Sequence, residues 1–463
     1  MSNNRIEMDS FGPVAIPADR YWGAQTQRAL AVFGAGREMF PQCLVRAWGQ
    51  HKLAAALANF QLGVLPEQLL GPIVQAATEL AEGRFDAHFP LSVWQTGSGT
   101  QTNMNANEVI ANRANQILGC ELGTRSPVHP NDHVNRSQSS NDSFPTIMHL
   151  TTVGELTGRL LPAMEQLRDE LQNKADEWAD VLKIGRTHLM DAVPMTQGQA
   201  FGAFAHQAAH GIDRIKACMP RLLLLPQGGT AVGTGLNTPV GFDSKFCEHI
   251  SVLTGQPFAP NPCKFEGMGT HDALVEVSGV LNVIAVSLTK LANDVRLLGS
   301  GPRCGFGELL IPDDGLTSSI MPGKRNPTIA EVLAQAAMQV IGNHSTITMA
   351  GASSLFELNV AKPVLISNLL QSIDVLSHSV TIFTEKLLKD LDLDREKLQS
   401  NIDHSLLIAT ALNPLLGYDV VAQITRKAAA EGVSPKAAAL ALGVITEQEY
   451  DEQVRPGIMV RPG

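Results

Sequence analysis

The chain has 463 residues, 44% of them hydrophobic and 17% charged; it is too long for one ordinary core and too apolar for disorder, so two or three folded domains are expected. A formal net charge of -10 excludes broad binding to nucleic acid or to an anionic membrane, both of which need a basic face. It leaves an anionic small molecule open, because a local cluster of donors outweighs distant charge.

The low aromatic content, 5%, beside abundant Leu and Ala favours helix–helix packing over a β-sandwich. Six cysteines (Cys43, Cys120, Cys218, Cys247, Cys263 and Cys304) are scattered without a C-x-x-C pair, which points to a reducing compartment. Residues 1–9 have neither an apolar stretch nor an Arg-rich presequence, and no uninterrupted apolar run is long enough for a bilayer. A cytoplasmic protein without a membrane partner is expected.

Residues 1–138 mix short helical patterns with loops punctuated by Gly and Pro, a first and mostly helical domain. Within it Gly97-Ser98-Gly99-Thr100 stands just ahead of a helical pattern running through Ile117. Backbone N–H groups and the Ser98 and Thr100 hydroxyls can cradle an anion there. Asn103, Asn105 and Asn107 on that pattern suit capping and local hydrogen bonds. Further on, His129 and His133 lie four apart with Asp132 between them. A catalytic zinc site wants a third protein ligand at recognisable spacing, and none is evident, so no metal is expected.

From 139 to 392 the pattern becomes long-helical. Ser139 and Asn141 suit capping of the next helix. Leu156, Leu160, Met164, Leu167, Leu171, Ala175, Trp178 and Leu182 form one helical stripe, which Pro162 should kink. A cleaner stripe runs Leu274, Val277, Leu281, Ile284, Leu288, Leu291, Val295 and Leu298, with Gly299 to end it. Two more helices are predicted from Pro327 to about Ile341 and from Pro363 to about His378. Such spacing indicates a bundle with small crossing angles. After 392 the texture turns to short helices punctuated by Gly417, Gly432 and Gly443, a small domain over 393–463. The expectation is a mainly all-α protein of three domains around a central bundle of long helices.

The stretch with most chemistry is Thr317-Ser318-Ser319-Ile320-Met321-Pro322-Gly323-Lys324-Arg325-Asn326-Pro327. Pro322 and Gly323 rule out regular structure across its middle, and Pro327 suits the first turn of a helix that carries Glu331. The adjacent Ser318 and Ser319 hydroxyls, the Lys324 ammonium and the Asn326 carboxamide on one loop suit a carboxylate ligand.

This string resembles the signature loop of the fumarase/aspartase superfamily. Collinear blocks similar to class II fumarases extend the resemblance along nearly the whole chain: residues 17–28, Trp94 to Thr100, His129 to Asp132, Ser137 to Asp142, Gly185-Arg186-Thr187-His188, and Gly228 to Asn237. The resemblance implies a cofactor-free hydro-lyase of the tricarboxylic acid cycle that hydrates fumarate to L-malate by anti addition through an aci-carboxylate carbanion. It implies Ser318 as the base, and His188 paired with Glu331 to polarise the water. Ser98, Gly99, Thr100, Ser139, Ser140, Asn141, Thr187, Ser319, Lys324 and Asn326 would hold the dicarboxylate. His129, Pro130, Asn131 and Asp132 would form a second dicarboxylate site. A homotetramer is implied, with each active site shared by three subunits.

Rivals in the superfamily are aspartase and the argininosuccinate and adenylosuccinate lyases; outside catalysis, a lens-type scaffold shares the fold. Aspartases usually carry Gln where His188 stands and Ala where Gly323 stands. Several positions depart from the fumarase pattern. Arg125 lies four residues before His129, where the family usually has its Arg three before. Thr317 replaces a usual Gly and Leu316 a usual Pro, which should stiffen the loop. Arg325 replaces a small apolar residue, and Met190 and Ala200 also differ.

Overall fold

The computed structural model describes residues 4–34 and 36–462. The chain opens on an antiparallel hairpin, β1 (Asn4–Asp9) and β2 (Gly12–Pro17), registered from Asn4↔Pro17 to Asp9↔Gly12. Helices α1 (Ala24–Val32), α2 (Gln42–Gln61), α3 (Glu67–Ala81), α4 (Thr100–Ile117) and α5 (Ser140–Glu155) follow. The sequence suggested short helices here, yet α2 has 20 residues and α4 has 18. Both are buried on more than one face, with Leu44, Trp48, His51, Lys52 and Ala55 of α2 all inaccessible or nearly so. A helix wrapped by neighbours loses the one-sided stripe that marks a surface helix.

A single π-helical turn, Leu156–Leu160, joins α5 to α6 (Leu161–Glu177). Pro162 has no N–H to continue the regular ladder, and the expected irregularity falls in the turn just before it. The stripe ends sooner than its spacing suggests: Trp178 is still buried, but Leu182 opens a strand. That strand, β3 (Leu182–Thr187), pairs antiparallel with β4 (Met190–Thr196). Next come α7 (Gln197–Leu222), β5 (Leu224–Leu225), α8 (Phe242–Thr254), β6 (Ala259–Pro260) and α9 (Lys264–Gly269).

Helix α10 (Asp272–Leu298) carries the cleaner stripe, and Leu274, Val277, Leu281, Ile284, Leu288, Leu291 and Val295 are all buried. By length and mean hydropathy it could cross a bilayer, but this buried face is that of a core helix. Gly299 ends it, its N–H bonded to Val295 O at 2.9 Å. After β7 (Leu309–Leu310) come α11 (Thr328–Ala352) and α12 (Lys362–Phe383), both longer than expected. Gly342 does not stop α11, because the buried Asn343 beside it donates to Asn368 O (3.2 Å) and Ser372 Oγ (3.0 Å) of α12. Tertiary hydrogen bonds there outweigh a weak local propensity.

Strand β8 (Asp392–Leu393) pairs with β7, and α13 (Arg395–His404) follows. The short α14 (Asn413–Leu416), α15 (Tyr418–Glu431), α16 (Pro435–Ala441) and α17 (Glu447–Gln453) pack around Ala409, Leu412, Ile424, Ala428 and Ala438.

Contacts group the chain into two units. One comprises residues 1–162, 213–285 and 338–377, the other 163–212, 286–337 and 378–463. Truncating Leu281 to Ala, at a fully buried position, should cost about 2–5 kcal/mol in chemical denaturation. The same change at the exposed Val252 of α8 should stay within about 0.5 kcal/mol.

Candidate active site

In the first unit, two helix N-termini carry a chain of hydroxyls. Gly99 caps α4 at φ 74°, and a Cβ there would lie 2.1 Å from the Phe144 ring. Gly97 is as tightly closed, since a Cβ would sit 1.4 Å from Val360 O. The turn they permit sets Ser98 Oγ 2.9 Å from Thr100 Oγ1, which lies 2.8 Å from Ser140 Oγ. Ser139 caps α5 by accepting from Asn141 N–H (3.2 Å), and Asn141 Nδ2 donates to Ala231 O (2.8 Å). Two positive helix ends thus share one hydroxyl cluster, an arrangement suited to a carboxylate.

What fixes this cluster lies behind it. Asp142, fully buried, accepts from the N–H groups of Ser139 (2.9 Å), Thr230 (2.9 Å) and Gly228 (3.0 Å). Burial pushes its carboxyl up to about 6, against the N–H donors that pull the other way. Lys52, also fully buried, donates to Asn103 Oδ1 (2.7 Å), Gln138 Oε1 (2.8 Å) and Asn135 Oδ1 (3.2 Å). Burial holds its ammonium well below the usual range, while Asp142 favours the charge. Lys52 thereby ties α4 to the turn that leads into Ser139. The sequence reading missed both residues; the S-x-x-D spacing from Ser139, a capping box, was the available signal for Asp142.

The His129 segment forms a π-helical turn, Pro130–Val134. His129 Nδ1 faces the N–H groups of Asn131 and Asp132, both at 3.2 Å. Despite its offset by one residue, Arg125 sets Nη2 2.8 Å from His129 Nε2, its own backbone at φ 55°. Burial and the Arg125 charge hold the His129 ring below its ordinary pKa. Arg125, Pro130, Asn131 and Thr100 line a cavity of ≈ 500 Å³ in this unit.

In the second unit, Thr187 and His188 sit at the tip of the β3–β4 hairpin. Thr187 pairs with Met190, so the loop is only two residues, His188 and Leu189, at φ 56° and 62°. Positive φ at both central positions is the demand of a type I′ turn, normally met by Asn-Gly. For His and Leu it costs roughly 1–2 kcal/mol each. His188 is exposed, and among the described residues it makes no hydrogen bond or ion pair with Glu331.

The Ser318 loop closes on itself. Asp313 pairs with Arg325 (2.9 Å), and Asp314 accepts from Thr328 Oγ1, so the extra cation at 325 is held at the loop base. Left-handed backbone falls at Gly315 (φ 76°) and Gly323 (φ 79°), not at Thr317. Ser318 Oγ accepts from Met321 N–H (3.0 Å) and Ile320 N–H (3.3 Å). Two N–H donors on one hydroxyl oxygen favour its deprotonated form. Ser319 and Lys324 are exposed, while Asn326 and Glu331 are half-buried. Nothing in the structure explains Met190 or Ala200.

A lyase family matches residues 12–342, and a fumarase C C-terminal family matches residues 408–461. The chain is 53% identical over 459 residues to a mitochondrial fumarate hydratase of Rhizopus oryzae, covering 98% of this chain and 92% of that protein. It is 50% identical to a class II fumarate hydratase of Caulobacter vibrioides over the full length of both. The fold matches a class II fumarase from Schistosoma mansoni with a TM-score of 0.97 at 41% identity, covering 99% of this chain and 100% of that one. A cobalt-bound fumarate lyase:delta crystallin from Brucella melitensis gives 0.95 at 38% identity, with the same coverage.

Asp142 supplies a pH test. Its folded pKa of about 6 exceeds the ordinary 3.8, so its contribution is fully present below pH 3.8 and is lost as pH rises through about 6. Across that window the stability of the parent relative to Asp142→Asn should fall by roughly 3 kcal/mol. A constant difference in denaturation at pH 4 and pH 7 would contradict this.

Proposed function

This chain belongs to the class II fumarate hydratases, and we propose that its hydro-lyase activity, the reversible hydration of fumarate to L-malate, is carried by donors from the 98–100 and 139–141 segments, the His188 hairpin and the 313–328 loop. In the dehydration direction, Ser318 as alkoxide removes a proton from the malate carbon next to a carboxylate. The electron pair of that C–H bond moves into the carboxylate, giving an aci-form with one more negative charge. Lys324, Asn326 and Ser319 hold this charge. The C–O bond on the opposite face then breaks, and the hydroxyl leaves as water, protonated through His188 with Glu331 fixing its tautomer. Thr100, Ser139, Ser140, Asn141 and Thr187 hold the other carboxylate.

The observation that carries this reading is the pair of backbone N–H groups aimed at Ser318 Oγ. A serine is a poor base unless its oxyanion is stabilised, and these donors supply that stabilisation in advance. That His188 and Glu331 make no hydrogen bond or ion pair within one chain, among the described residues, supports a site completed by other subunits. Exposed apolar residues on the long helices, Val286 (57%), Met338 (62%) and Met349 (75%), support assembly into a homotetramer. The His129–Asp132 turn with Arg125 is assigned to a second dicarboxylate site, supported by its guanidinium and the adjoining cavity. Six free cysteines support a reducing, cytoplasmic setting.

Fumarate absorbance on the purified protein should show turnover with malate and none with aspartate. Ser318→Ala should lower kcat by about 10²–10⁴-fold; wild-type turnover in that variant would remove Ser318 from the reaction. Thr317→Gly should speed loop closure and raise kcat, and identical kinetics would dismiss any stiffening by the β-branched residue.

A further inference from the structure

The turn that presents His188 is strained, exposed and short, and among the described residues no side-chain hydrogen bond or ion pair holds His188 or Leu189. The restraint lies at its base. Glu308, wholly inaccessible to solvent, accepts from Arg186 Nη2 through Oε1 at 2.5 Å, while Lys183 Nζ stands 3.3 Å from Oε2. Both cations belong to β3, three residues apart. Strict strand alternation would send them to opposite faces, but the register shifts between Ile184 and Arg186. That irregularity lets both side chains reach one carboxylate. The Arg186 guanidinium is also stacked 4.7 Å from the Phe306 ring centre.

Glu308 is itself held firmly. Its N–H donates to Leu298 O at the end of α10 (2.9 Å), and its carbonyl accepts from Asp394 N–H (3.1 Å). Asn401 Nδ2 of α13 donates to Oε1 at 3.0 Å. Glu308 is thus fixed by its backbone between the end of α10 and the start of α13, and its side chain connects α13 to β3, the strand that leads into His188.

We propose that Glu308 is a positioning residue for the reaction: through Arg186 and Lys183 it forces the β3–β4 hairpin to hold His188 and Leu189 in left-handed backbone, a role that rests on His188 acting on the water. A strained turn persists only where its surroundings over-determine it, and here two cations on one fixed anion do so. Without that anion the turn relaxes, and His188 moves while the dicarboxylate keeps its other donors.

The test uses the full-length protein with malate. Glu308→Gln keeps the shape and removes the charge, and it should lower kcat by about 10–100-fold with KM changed less than about threefold. Arg186→Lys keeps the charge but loses the fork, should act in the same direction, and decides the matter if Glu308→Gln does not fold. The distinguishing readout is rescue. Glycine takes positive φ freely, so adding Leu189→Gly to Glu308→Gln should recover kcat by about threefold or more. A carboxylate that only stabilised the fold would lower the melting temperature without such rescue. His188→Asn is measured alongside. If it keeps wild-type kcat, the role of His188 falls, and this proposal with it. If it loses activity while Glu308→Gln and Arg186→Lys keep kcat, or while Leu189→Gly restores nothing, the positioning role of Glu308 is overturned.

Discussion

Donors proposed to hold a dianion must be placed before it arrives, and here the Ser139 turn and the β3–β4 hairpin are each held from behind by a buried carboxylate. Asp142 collects the N–H groups of Ser139, Gly228 and Thr230, so the serine that caps α5 is bonded to a carboxylate that two further N–H groups hold in place. Glu308 does the same for the hairpin by way of Arg186. Removing one partner of such a buried charge typically costs about 3–5 kcal/mol, more than most surface contacts contribute. The groups that would meet substrate (Ser98, Thr100, Ser140, His188 and Ser318) are small or exposed and could not fix themselves.

How much of this was legible depends on whether the signal is local. Gly97 and Gly99 stood out as a turn before a helix, and the structure gives each a steric reason in Val360 and Phe144. The stripe of α10 and its stop at Gly299 were visible because one face alone is buried. The hairpin at His188 was not visible, because its turn lacks the Asn-Gly that normally announces positive φ. The all-α expectation holds for the bulk of the chain, with short two-stranded sheets added. Glu308 gave no sequence signal at all: its cations lie more than a hundred residues away, and periodicity cannot report such a pairing.

The departures from the fumarase pattern read differently once seen in place. Arg325 is neutralised by Asp313 at the loop base, so it adds little net charge beside Lys324. Thr317 avoids left-handed backbone because Gly315 and Gly323 supply it on either side. The loop therefore reaches its turn by a different distribution of flexible residues, with Ser318 still receiving two N–H donors. Arg125 compensates for its altered spacing through its own positive φ and still meets His129.

The most direct measurement is subunit mixing. Ser318→Ala and His188→Asn proteins, each inactive alone, are dissociated, combined and reassembled, and malate dehydration is followed by fumarate absorbance. If Ser318 and His188 of one site come from different chains, mixed assemblies contain some sites with both native residues, and activity returns. If the mixture stays as inactive as its components while wild-type protein carried through the same steps recovers, the two residues act within one chain, and the shared-site account is wrong.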